Sequence, residues 1–309
     1  MLSVLIACYN QRAEDLVIQL WQQGRALNRP FEIIVHENGH DLLIQQSMQA
    51  FFAGKEEIRY AVQRSANNRS ASRNWMAKQA RFPYLLFMDG DAAVVDQQFL
   101  YRYIQCLPSQ AVWVGGTAYR AEPPAQDRLL RWTYGKAREE RKANSQQPKS
   151  AGFSSFNFLM PRSAFEKVQF DETITAYGHE DSLLGQQLLA AGISIRELQN
   201  PLYHEGLDHN QEFLAKSAEA VRTLAQLVLQ DKLGEEIKLY RTYRRLTQWK
   251  LDGVMRSILL KARKMMERQL CSKKPSMLVF DLWKLGHLLE EMQKKKTPPK
   301  RGRGLRANN

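Results

Sequence analysis

Short apolar runs alternate with amphipathic segments along the first two thirds of the chain. SVLIAC at 3–8, FEIIVH at 31–36, IRYAV at 58–62, YLLFMD at 84–89 and AVWVGG at 111–116 are rich in β-branched or aromatic residues and bounded by polar ones. Such runs predict buried strands. Between them, segments near 13–27, 41–53, 70–80 and 96–106 have a helical pattern. The strand–helix rhythm predicts an α/β fold: a Rossmann-like, mostly parallel, twisted sheet with helices on both faces. In open sheets of this kind, ligands sit beyond the carboxyl ends of the strands. Residues that carry chemistry are therefore expected just after the apolar runs.

Residues 121–150 are polar, charged and flanked by proline, with an amphipathic middle around Leu129, Trp132 and Tyr134. This pattern predicts a mobile, helix-containing excursion over the site. The block at 153–161 returns as a strand, and a short helix follows at 162–167. A polar cluster at 177–181 leads into a helix at 182–191, then a strand and turn within 193–206. From about 210 the pattern is helical throughout. Leu239, Tyr243, Leu246, Val254, Ile258, Ala262 and Met265 recur at near-helical spacing within 235–268, and another helix is expected over 276–293. No internal repeat is present.

Charge divides the chain more sharply than hydropathy does. The 309 residues have a formal net charge of +13. Residues 232–309 hold 21 basic and 7 acidic side chains, leaving 24 and 25 for residues 1–231. The basic excess therefore belongs to the last quarter, which points to two differently tasked parts. The expected organisation is a catalytic domain at 1–231, a basic helical extension at 232–295 and a disordered basic tail at 296–309. No run of about 18 apolar residues exists to span a membrane, and the start lacks the basic n-region of a secretory signal. Cys8, Cys106 and Cys271 are too far apart for metal spacing and odd in number. Three buried thiols in a reducing, cytoplasmic compartment are expected.

Three clusters stand out chemically. Asp89-Gly90-Asp91 closes a wholly apolar strand, where two carboxylates are costly to place together unless something positive binds there. A divalent cation carrying nucleotide phosphates would remove that cost; a surface turn with two solvated acids would carry the same triplet. Tyr177-Gly178-His179-Glu180-Asp181 leads into a helix, so its acids are either dipole-favoured caps or a carboxylate poised as general base. His204, at another strand end, is structural or a ligand for a Mn²⁺-like metal. Two further elements suit an anionic ligand. Ala7-Cys8-Tyr9-Asn10 offers a ring to stack on a nucleobase. Asn68 through Asn74 puts arginines near a helix start.

In this order, the motifs resemble those of the inverting family 2 glycosyltransferases of the GT-A fold. Ala7-Cys8-Tyr9-Asn10 matches the family's opening strand end. His36-Glu37-Asn38-Gly39 stands where two aspartates, Gly and Ser are usual. Asn68 with Ser72-Arg73-Asn74 matches its Asn…Ala-Arg-Asn segment, and Asp89-Gly90-Asp91 its DxD motif. The Trp-Gly-Gly-Glu-Asp type motif is represented by Tyr177 through Asp181, with Tyr for Trp and His179 for Gly. The resemblance spans roughly residues 1–210 and leaves the helical remainder without an assigned motif.

The resemblance implies a nucleotide-diphosphate sugar donor, expected to be UDP-linked, contacted by Ala7, Tyr9, Asn10, Glu37, Asn68, Arg73, Asp89 and Gly90. It implies Mn²⁺ or Mg²⁺ held by Asp91 with Asp89 and His204. Asp181 would be the general base and Glu180 an orienting carboxylate, giving a β-glycoside on a hydroxyl of a glycan or lipid-linked acceptor. A nucleotidyltransferase would be expected to have a Gly-rich basic loop after the first strand, which Tyr9-Asn10-Gln11-Arg12 is not. A non-catalytic nucleic-acid-binding protein driven by the basic tail is the other alternative; the confinement of charge to 232–309 argues against it, and no nucleic acid is expected as a partner. Residues 235–268 could meet an anionic membrane surface at the inner face of the membrane, dock a partner, or simply cover the domain.

Overall fold

The computed structural model describes residues 1–62, 68–140 and 153–296. The expected tail at 296–309 falls, apart from Lys296, outside the described residues, as does the latter part of the 121–150 segment. The chain opens with β1 (Leu2–Cys8), α1 (Glu14–Ala26), β2 (Phe31–Glu37), α2 (Leu42–Phe52) and β3 (Ile58–Val62). There follow α3 (Arg69–Gln79), β4 (Tyr84–Asp89), the short β5 (Ala92–Val94), α4 (Phe99–Gln105), β6 (Val112–Val114) and β7 (Thr117–Ala118). Next come α5 (Leu129–Tyr134), β8 (Asn157–Pro161), α6 (Arg162–Lys167), α7 (Glu180–Ala190), β9 (Ile195–Glu197) and β10 (Leu202–His204). Four helices end the described chain: α8 (Asn210–Leu229), α9 (Lys238–Gln248), α10 (Asp252–Leu270) and α11 (Met277–Lys296).

Among the described residues, seven strands form the main sheet in the order β3-β2-β1-β4-β8-β6-β9. Its pairs are parallel except where β8 runs against β4 and β6. The central strands are continuously apolar because both faces are covered. Val4 and Ile6 of β1 and Leu86 and Met88 of β4 enter one core. Leu5, Leu85 and Phe87 point to the other face, where Phe87 stacks on Phe158 at 4.8 Å between ring centroids. A second, three-stranded sheet, β5-β10-β7, sets His204 opposite Ala92.

The strand register decides where the polar ends meet. Cys8 lies opposite Glu37 and Ala7 opposite Asp89, so β1, β2 and β4 end together at one rim. Two helices start near this rim with side-chain caps. Asp41 accepts from the backbone N–H of Leu43 and Ile44, and Asn68 from that of Ala71. Each cap satisfies donors that the first helical turn leaves open.

Four expectations are corrected. The 177–181 cluster enters α7 two residues early, placing Glu180 and Asp181 in its first turn, where the helix dipole favours acids. The 235–268 pattern is two helices, separated at Trp249–Leu251 with Lys250 in the left-handed region (φ 58°). Leu239, Tyr243 and Leu246 consequently face the core, whereas Val254, Ile258 and Met265 point outward. Of the three unpaired thiols, only Cys8 is buried, because Cys106 and Cys271 lie at helix C-termini. Finally, residues 121–128 are mostly exposed, whereas α5 within the 121–150 segment is packed, with Leu130 fully buried and Tyr134 against Phe213 and Phe280. That contact belongs to a third core, which joins Leu130, Leu183 and α8 to Tyr243, Leu259, Phe280, Trp283 and Leu288 of the last three helices.

Candidate active site

A cavity of about 540 Å³ opens at the rim where β1 and β4 end. Its floor is Ala7 and Cys8 of β1 with Tyr9 just beyond, and Asp89 of β4 with Gly90 and Asp91 just beyond. One wall is the start of α3, with Asn68, Arg69, Ser72 and Arg73. The other is the 174–178 loop, Glu180, and Glu212, Lys216 and Glu219 of α8. The aspartate triplet can turn here because Gly90 has no side chain. A Cβ would come within 2.5 Å of Cys8 Sγ, and the Gly90 N–H donates to Ala7 O at 2.8 Å.

Arg73 ties the two walls together. It is almost fully buried, donates from Nη2 to Asp89 Oδ1 at 2.7 Å, and lies 3.7 Å from Glu180 Oε1 through Nη1. Its Nε and Nη1 have no hydrogen-bond partner among the described residues, so donor capacity remains for an anion at the cavity wall. Arg69 stacks over the Tyr177 ring at 4.7 Å and adds a second cation at the same helix start.

Asp91 and His204 form a separate polar corner. His204 Nε2 is 3.5 Å from Asp91 Oδ2, and the main-chain N–H of Glu205 donates to Asp91 O at 2.9 Å. Burial, and then the charge of Asp89, pushes the Asp91 carboxyl up to about 7. Burial and the neighbouring Arg131 push His204 down to about 4, so its ring is neutral. Asp91 Oδ1 and His204 Nδ1 are buried without partners among the described residues. An orphaned carboxylate oxygen beside a neutral imidazole is the donor chemistry of a hard to intermediate divalent cation, and these residues fit Mn²⁺ or Mg²⁺. Among the described residues, no three His, Cys, Asp or Glu side chains, Asp89, Asp91 and His204 included, are grouped to hold a metal ion by themselves.

The first turn of α7 supplies two unlike carboxyls. Glu180 faces the cavity and Arg73. Asp181, beside it, is not a lining residue; it accepts from Ser182 N at 2.7 Å. Burial, and then the Glu180 charge, pushes Asp181 up to about 7. The residue before them, His179, adopts left-handed backbone (φ 68°), which costs about 1 kcal/mol or more for a side chain with a Cβ.

The structure therefore brings Ala7, Tyr9, Asn68, Arg73, Asp89, Gly90, Asp91 and Glu180 around one cavity. Asn10 and Glu37 do not line it: Glu37 is buried and Asn10 is exposed, and both side chains are spent on backbone N–H groups of the neighbouring loops. Glu37 Oε1 accepts from the Asn10 N–H at 3.0 Å and from the Gly39 N–H, while Asn10 Oδ1 accepts from His40 and Asp41 N–H. His204 reaches the site only through Asp91. Sequence reasoning missed Lys216 and Glu219, which face the cavity, and Arg131. Arg131 is buried, pairs with Glu139 at 3.0 Å and places Nη2 3.5 Å from His204 Nε2. Nothing local marks these three, since each sits in a helix that reads as an ordinary amphipathic surface.

The family model for "Glycosyl transferase family 2" matches residues 3–169. No curated protein matches the chain. Among solved structures, S. aureus TarS 1–349 is 15% identical, with 97% of this chain and 93% of that one covered and a TM-score of 0.51. The mannosyltransferase PcManGT from Pyrobaculum calidifontis, in complex with GDP-Man and Mn²⁺, is 12% identical, with 97% and 88% covered and a TM-score of 0.57. S. aureus TarS 1–349 in complex with UDP-GlcNAc is 14% identical, with 96% and 91% covered and a TM-score of 0.50. At these identities the likeness is one of fold, and it extends through the C-terminal helices.

Proposed function

The chain belongs to glycosyl transferase family 2, and on that premise we propose that its cavity binds a nucleoside-diphosphate sugar and passes the sugar to an acceptor hydroxyl with inversion. The observation that supports this most strongly is the convergence of Asp89, Asp91, Arg69, Arg73 and Glu180 on one cavity from three separate stretches of chain. A nucleotidyltransferase reading has no comparable support.

In this reading, the exposed Tyr9 ring packs on the base and Asn68 with the start of α3 lies along the ribose and diphosphate. Arg73 and Arg69 balance the phosphate charge. Asp91, with His204 behind it and Asp89 alongside, would hold Mn²⁺ or Mg²⁺. The bound cation would supply Lewis-acid stabilisation of the departing diphosphate. Glu180, already facing a guanidinium, orients sugar or acceptor hydroxyls. Asp181 takes the acceptor proton. Its carboxyl near 7 accepts a proton far more readily than an ordinary aspartate, while Glu180 is tied to Arg73; the two environments divide the roles. The attacking oxygen forms its bond to the anomeric carbon as the bond to the diphosphate oxygen breaks on the opposite face. An α-linked donor thus gives a β-glycoside. Glu180, which lines the cavity, also faces the positive charge that grows on the sugar.

A UDP-linked donor and a glycan or lipid-linked acceptor complete the proposal. The test is a panel of UDP-, GDP- and dTDP-sugars scored for nucleoside diphosphate release, with Mn²⁺, with Mg²⁺ and with EDTA. Metal-dependent release from one nucleotide class, with a β-linked product by NMR, is expected. Release unaffected by EDTA, or an α-linked product, overturns it.

A further inference from the structure

The outer face of α10 carries a row of exposed apolar side chains. Val254, Ile258 and Met265 are each more than half exposed, and Leu251 and Trp249 at the α9–α10 joint are exposed with them. At about 100° per residue these positions of α10 share one sector of roughly 60°. They are separate from Leu259, Met266 and Leu270, which hold the helix to the third core. The helix thus carries two apolar faces, of which the described residues cover only the inner one.

The adjoining sector is basic. Lys261, Lys264 and Arg268 follow the apolar stripe, Lys250 stands at the joint, and none of the four pairs with a carboxylate among the described residues. Residues 238–274 hold 12 basic side chains against Asp252 and Glu267. Glu267 accepts from Trp283 Nε1 at 3.2 Å on the inner side, so it does not offset the outer charges. A second copy of the chain would set these like charges against one another. An apolar stripe edged by unpaired lysines, with a tryptophan at one end, matches the boundary between acyl chains and anionic headgroups. No helix among the described residues is long and apolar enough to cross a membrane.

We propose that the Trp249–Arg268 face of this protein lies on an anionic lipid surface, with Trp249, Leu251, Val254, Ile258 and Met265 in the headgroup–acyl boundary and Lys250, Lys261, Lys264 and Arg268 against the phosphates. The proposal does not depend on the catalytic reading. It narrows the binding segment to α10 and its joint, because the apolar residues of α9 are spent on the core.

Co-sedimentation of the full chain with phosphatidylcholine vesicles, alone or containing 30% phosphatidylglycerol, tests it. Wild type should bind the anionic vesicles only, and lose binding in high salt. Removing three charges in the Lys261→Gln/Lys264→Gln/Arg268→Gln variant should weaken binding by on the order of a hundredfold, at about fivefold per charge. The Val254→Ser/Ile258→Ser/Met265→Ser variant, whose changes are all solvent-exposed, should weaken binding at least tenfold with its charge intact. Both variants should keep the thermal transition and donor turnover of wild type. Equal binding to neutral vesicles, or wild-type binding by either variant, overturns the proposal. So does capture by an acidic polymer such as RNA that vesicles cannot compete away.

Discussion

Replacing Asp181 by Asn separates catalysis from stability at a single carboxyl. In the folded chain this carboxyl sits near 7, raised from 3.8 by burial and by the charge of Glu180. Folding therefore gives it a tighter hold on its proton, and the folded state carries more protons than the unfolded one between about pH 4 and 7. Stability contributed by this group must then fall as pH rises through that window. A shift of about three units at about 1.4 kcal/mol each sets a ceiling near 4 kcal/mol. Asn is neutral at every pH, so Asp181→Asn should match wild type near pH 4 and exceed it by about 1–3 kcal/mol at pH 8. Turnover should move the other way. Loss of the base lowers kcat by about 10²–10⁴, and wild-type activity should fall about tenfold per pH unit below 7, whereas the residual activity of the variant should not follow that slope. Denaturant melts at pH 4, 6 and 8 beside the pH profile of nucleoside diphosphate release provide the assay. A variant that is no more stable at pH 8, yet turns over within threefold of wild type, would refute both the buried-carboxyl argument and the base assignment.

Three further outcomes follow from the same geometry. Arg73→Met should lower stability by about 3–5 kcal/mol in urea melts, because Asp89 and Glu180 lose the buried cation that faces them; Arg73→Lys should fold but lose at least tenfold in donor affinity, since one ammonium cannot serve both carboxylates. Gly206→Ala adds a methyl in hard contact with Asp91 Oδ2, so it should weaken Mn²⁺-dependent nucleotide binding, read by calorimetry, while leaving metal-free binding within twofold. Phe280→Ala removes a ring shared by the Tyr134, Phe213 and Trp283 contacts and should cost about 3–5 kcal/mol, lowering the thermal unfolding temperature.

The sheet was legible because its strands are buried on both sides. A run such as SVLIAC is short and rich in aliphatic and β-branched residues, which favours a buried strand over a helix, and its end marks the rim to within a residue. Asp89-Gly90-Asp91 was legible for the same reason: carboxylates directly after YLLFM must lie where the core stops. What escaped is decided in three dimensions. Lys250 turns the chain in left-handed backbone without Gly or Pro to announce it, so one apolar pattern hid two helices with opposite uses. Arg131, Lys216 and Glu219 lie on helices distant in sequence, where a basic or acidic residue at helical spacing reads as solvated surface. Asn10 and Glu37 adjoin the rim as expected, but their side chains are spent on backbone N–H groups, Glu37 on those of Asn10 and Gly39 and Asn10 on those of His40 and Asp41, which spacing alone does not reveal.

The central assertion is that Asp91 helps to hold a cation and a nucleotide in the same cavity as Glu180. Calorimetric titration of UDP and GDP into wild type and Asp91→Ala, each with Mn²⁺ and with EDTA, addresses it most directly. One nucleotide should bind wild type at least tenfold tighter with Mn²⁺ than with EDTA, and Asp91→Ala should lose that gain even at millimolar Mn²⁺. Equal, metal-enhanced affinity in the two proteins would contradict it.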